Sequence, residues 1–143
     1  MSGKLSLTKS ITIHASKASV WDALTNPDQI KKYFFGTETT SDFKKGSPIR
    51  YKGIWEGKPY EDKGTILEVE RNSIFKHNYW SSFTGTPDAP DNYANITYTI
   101  TGDEGNITLT VTQDNLLTEE AKKHSENNWD MVLDGMKKLL ERK

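Results

Sequence analysis

The residues with chemical potential are few and widely spaced. His14, His77 and His124 show no HExxH-type spacing, which would put two imidazoles on one helix face around a zinc ion. His124 follows Glu120 by four residues in a helical stretch, the spacing of a routine surface ion pair. His77 differs. It lies between Phe75 and Tyr79 on one face of an apolar strand, where an imidazole is either a satisfied core group or the polar handle of a ligand pocket. Glu56, Glu61, Asp62, Glu68 and Glu70 read as solvent-side strand and turn residues, and nothing resembles a nucleophile elbow. Neither GxGxxG nor GxxxxGK[ST] occurs. Without cysteine there is no disulfide, thiol nucleophile or zinc knuckle. No catalytic residue is assigned, and no metal or cofactor is expected.

The bulk properties narrow the function further. The 143 residues suit one domain, residues 1–143. Only 34% are hydrophobic, so the four Trp, six Tyr and five Phe must carry much of a core or line a cavity. The 19 basic and 20 acidic residues balance to a formal charge of −1 and form no basic patch, so neither nucleic acid nor a membrane surface is expected as a partner. Met1-Ser2-Gly3-Lys4 leads straight into alternating residues rather than a signal-type apolar run, and a cytoplasmic location is the expectation.

Leu5, Leu7, Ile11 and Ile13 alternate with polar residues, a strand with one buried face that Lys9 interrupts. Ser16 caps a short helix carrying Val20, Trp21 and Leu24; Asn26-Pro27 starts a second, with Ile30, Tyr33 and Phe34 as its stripe and Gly36 as its end. Strands are predicted near Glu38–Phe43, Ser47–Trp55, Lys58–Glu70, Ile74–Ser81, Tyr93–Thr101 and Asn106–Gln113, with a tight hairpin at residues 102–105. The Gly- and Pro-bearing segment Ser82 to Asn92 reads as a flap. Thr118 then caps a helix from Glu119 to Glu141, with Trp129, Val132, Leu133, Met136, Leu139 and Leu140 on one stripe. Strands in a contiguous run predict an antiparallel sheet and an α+β fold.

That order, with Ile11-Thr12-Ile13-His14-Ala15-Ser16 running into Val20-Trp21-Asp22-Ala23-Leu24-Thr25-Asn26-Pro27, then Gly64-Thr65-Ile66-Leu67-Glu68-Val69, Thr108-Leu109-Thr110-Val111-Thr112-Gln113 and Asn128-Trp129 before Val132-Leu133-Asp134-Gly135-Met136, resembles the START-like superfamily of the birch-pollen allergen and polyketide cyclases. Within it, the chain is similar to the family named after the C-terminal domain of the heat-shock protein 90 ATPase activator. The resemblance implies a helix-grip fold: a curved antiparallel sheet around a long C-terminal helix, with an apolar cavity between them. Tyr33, Phe34, Tyr51, Trp55, His77, Trp80, Tyr98, Trp129 and Met136 are the ligand-binding residues it suggests, with Trp80 expected to carry a large share of the fluorescence response to a ligand.

Three roles follow from it. The first is binding of a small apolar or amphiphilic molecule. The second is a cyclase or hydrolase activity, with His77 and a cavity tyrosine as acid and base. The third is a chaperone-linked interaction. The eukaryotic co-chaperone binds its chaperone through a separate N-terminal domain, for which 143 residues leave no room, so stimulation of a chaperone ATPase is not expected.

Overall fold

A computed structural model of the chain describes residues 5–34, 36–55, 57–81, 87–89, 92–116 and 118–141, and of Trp55 the backbone alone. Ten elements follow in order. They are β1 (Leu5–Ile13), α1 (Lys17–Thr25), α2 (Pro27–Tyr33), β2 (Glu38–Thr40), β3 (Pro48–Trp55), β4 (Lys58–Glu70), β5 (Ile74–Ser81), β6 (Ala94–Asp103), β7 (Asn106–Leu116) and α3 (Glu119–Glu141). The predicted order of elements holds. The predicted strand to Phe43 stops at Thr40, and most of the predicted flap lies outside the described residues.

All seven strands join one antiparallel sheet in the order β1-β7-β6-β5-β4-β3-β2. The sheet is curved, and with α3 it forms a helix-grip fold. Alternation decides which side chains reach the concave face: Phe75 and His77 on β5, Ile96, Tyr98 and Ile100 on β6, Ile107, Leu109 and Val111 on β7. On β4 the inward set changes. Ile66 pairs with His77 but Glu68 pairs with Lys76, so Leu67 is one residue too many. This bulge moves the inward positions from Asp62, Gly64 and Ile66 to Val69.

The helices start where their caps direct. The Ser16 hydroxyl accepts from Ser19 N–H (3.1 Å), Asn26 Oδ1 from Asp28 N–H (3.0 Å), and Thr118 Oγ1 from Ala121 N–H (3.0 Å). At 23 residues, α3 is about 35 Å long and crosses the sheet. Its buried stripe is Trp129, Val132, Leu133 and Met136, each aliphatic member contributing ~1.5–3 kcal/mol by leaving water. Polar clips fasten it to β1. Lys9 pairs with Asp130 (3.2 Å), Lys137 Nζ donates to Thr12 O (2.8 Å), and His14 N–H donates to Glu141 (2.8 Å).

The two ends of the trough between α3 and the sheet are filled differently. Helices α1 and α2 pack beneath the C-terminal half of α3. Gly135 faces Tyr33 of α2 at this contact, where a Cβ would lie 3.4 Å from Tyr33 Cβ, within ordinary packing distance. Beneath the N-terminal half there is no helix among the described residues to fill the space, and the cavity lies there.

Gly64 is the most crowded of the described glycines. A Cβ built on it would stand 1.8 Å from Asn78 O, a backbone atom of the neighbouring strand. Gly64→Ala should therefore part β4 from β5 locally and cost on the order of 2–4 kcal/mol. Urea unfolding checks this as a lowered midpoint at unchanged m; a loss within 0.5 kcal/mol would show that the strands yield freely.

Candidate functional site

Inward positions of separate elements build a continuous aromatic wall. Phe34, in the turn after α2, stacks on Tyr51 of β3 at 5.9 Å between ring centres. Tyr51 lies 5.9 Å from the His77 ring and His77 lies 6.3 Å from Tyr98. Tyr98 meets Trp129 of α3 edge to face at 5.8 Å. Phe75 braces this wall from the core side, stacked on Tyr98 at 6.0 Å.

Each polar group on the wall has a definable state. His77 is 1% exposed. Its Nδ1 lies 2.8 Å from Asn78 O, and a carbonyl can only accept, so Nδ1 carries the proton. Nε2 is then the acceptor facing the Tyr51 hydroxyl at 3.4 Å. Burial pushes the His77 pKa down to about 4, against the opposing backbone hydrogen bond, and the ring is neutral at pH 7. Trp129 Nε1–H donates to Gln113 Oε1 at 2.8 Å, which leaves the Gln113 amide NH2 as a donor for the cavity. Burial likewise raises the Tyr98 phenol, so it stays protonated and can donate.

Asp62 forms a second polar group on β4, 5% exposed. The Tyr79 hydroxyl donates to its Oδ2 at 2.5 Å, while its buried Oδ1 has no hydrogen-bond partner among the described residues. Burial raises the carboxyl above the usual range, with hydrogen bonds from Ser81 and Tyr79 pulling the other way. Among the described residues no three His, Asp or Glu side chains stand close enough to hold a metal ion.

These groups surround a cavity of about 500 Å³, within the usual range for small-molecule sites. Its walls come from β3 to β7 and from the α3 face carrying Ala121, Ser125, Asn128, Trp129 and Val132. The structure brings Phe34, Tyr51, His77, Tyr98 and Trp129 together on it. Three other residues named from the sequence are placed elsewhere. Tyr33 is buried in the core and its hydroxyl donates to Ala23 O at 2.8 Å, tying α2 to α1. Met136 is fully buried in the filled half of the trough. Trp80 has the opposite parity to His77 and lies on the outer face under Lys63, whose Nζ is 5.8 Å from its ring centre. The Trp55 side chain lies outside the described residues.

Sequence reasoning missed Asp62, read above as solvent-side, although it shares parity with the apolar Ile66 on one strand. It also missed Tyr60 and Gln113, and it read His124 as a plain surface group. The structure places His124 on the cavity rim, exposed.

The state of His77 has a consequence in acid. The unfolded imidazole takes a proton below its ordinary 6.5, whereas the folded one resists until about 4. Stability should thus fall as pH drops from 6.5 to 4 and level off below, by on the order of 3 kcal/mol from this residue. Chemical unfolding of wild type and His77→Gln across that range checks it; parallel curves for the two would exclude a buried neutral His77.

Comparison with known proteins agrees with this architecture. The family described as Activator of Hsp90 ATPase homolog 1-like protein matches residues 14–141. Among solved structures, ChR145 from Cytophaga hutchinsonii is 48% identical, with 99% of this chain and 97% of that one covered and a TM-score of 0.84. The Aha1 dimer from Colwellia psychrerythraea (19% identity, 96% and 97% covered, TM-score 0.77) and CalU16 from Micromonospora echinospora (18%, 96% and 75%, 0.77) share the fold. No curated protein matches the chain. A family match over residues 14–141, on a helix-grip fold, establishes that this chain belongs to the Activator of Hsp90 ATPase homolog 1-like family.

Proposed function

We propose that this chain binds a small, largely apolar molecule with a polar end in the cavity beneath the N-terminal half of α3. One observation carries this reading. The aromatic-walled cavity of about 500 Å³, apolar over most of its area, gathers convergent polar groups, among them the Tyr98 hydroxyl, the Gln113 amide and Asp62. A close-packed interior does not leave such space. The apolar body of the guest lies along Phe34, Tyr51, Ile96 and Val132, and the polar groups fix its orientation. His77 holds Tyr51 in place rather than meeting the guest, since one nitrogen is bonded to the backbone and the other faces the Tyr51 hydroxyl.

Melting curves with a panel of fatty acids, flavonoids, polyketides and aromatic amines test the reading. A true ligand at a hundredfold its Kd should add ~2.7 kcal/mol of stability. It should also change the emission of Trp129, which touches the cavity, and Ser125→Trp, which plugs it from α3, should abolish both effects while the variant still melts cooperatively. An undiminished shift in the plugged variant would place binding elsewhere on the molecule.

A further inference from the structure

The chemistry of the guest's polar end, which presupposes the binding role just proposed, follows from the charges on the cavity wall. Its described lining holds one carboxylate, Asp62, and no lysine or arginine. Asp62 is 95% buried by area; Tyr79 and Ser81 donate to its carboxyl, but Oδ1 has no hydrogen-bond partner among the described residues. No cationic side chain lies within ion-pair distance of it among the described residues. A carboxylate in such a place is costly unless a cation or donor meets it. Tyr79 is hydrogen-bonded to Asp62, Tyr51 pairs with it across β3 and β4, and Tyr60 lines the same cavity; aromatic rings attract cations as well. We infer that the polar end of the guest is a protonated amine, which pairs with Asp62 Oδ1 while the tyrosine rings enclose it.

A carboxylate-ended guest is disfavoured by the same geometry. It would bring a second negative charge into a water-poor space that already holds one. An alcohol can donate to Oδ1 but leaves the carboxylate charge uncompensated. Burial raises the Asp62 carboxyl, and a cation held beside it would oppose that shift by favouring the charged form.

Three probes with one apolar body and different ends separate the possibilities: 4-phenylbutylamine, 4-phenylbutanol and 4-phenylbutyrate. Calorimetric titration into the wild-type chain at pH 7 should rank the amine tightest, by tenfold or more over the alcohol, with the acid weakest. Asp62→Asn keeps the shape and can still accept from Tyr79, so it should bring the amine to within threefold of the alcohol and leave the alcohol nearly unchanged. Asp62→Ser serves in its place if melting shows that the first variant is not folded. Binding of the alcohol or acid as tightly as the amine would overturn the amine assignment and leave a binding role standing. An amine preference that survives both variants would overturn the assignment to Asp62. Binding of none of the three would count against the amine inference and the binding role together.

Discussion

The grip of α3 on the sheet depends on Trp129. Its indole ring meets Tyr98 on β6 edge to face, and its N–H donates to Gln113 on β7. A buried indole must satisfy that N–H, and Gln113 is the partner that does so, itself only 9% exposed. This side chain thereby joins α3 to two neighbouring strands at once. Below this point Leu133 and Met136 fall into the core; Trp129 and Val132 border the cavity, and above them Ala121, Ser125 and Asn128 face it. The boundary between packed core and cavity is therefore a boundary along a single helix.

That division explains how a domain with a low hydrophobic fraction can be stable and still hollow. Close packing is concentrated where α1 and α2 fill the trough, in residues such as Ile13, Val20, Ile30 and Phe75 that are essentially inaccessible. In the hollow half, rings brace one another from Phe34 across to Trp129, so the wall keeps its shape by edge and face contacts between aromatics. The polar tips of these rings are turned to fixed partners or to the cavity. Tyr51 faces His77, and Tyr79 holds Asp62. The cavity is thus apolar in area, and among its described lining residues Asp62 is the sole carboxylate and none is lysine or arginine.

Much of the fold is legible along the chain because its signals are local. The Asn26-Pro27 cap, the Glu104-Gly105 turn and the apolar stripe of α3 each act within a few residues, and each is where the pattern places it. The candidate site was legible only in part. Parity along β5 separates His77 from Trp80, and it could have been applied to Trp80 as it was to His77. Asp62 was harder. Its neighbours Glu61 and Lys63 face solvent, charged residues are seldom buried, and the bulge after Ile66 disrupts the alternation that would have revealed it.

By itself, the sequence determined the order and type of the elements, the antiparallel sheet and the face of α3 that is buried, because periodicity and capping are written in neighbouring residues. Tertiary structure alone decided where the trough is filled and where it stays open, and which carboxylate sits in the opening. Those depend on contacts between residues far apart in the chain, such as Tyr33 against Gly135, Trp129 against Gln113 and Tyr79 against Asp62, and side-chain spacing within one element carries no record of them.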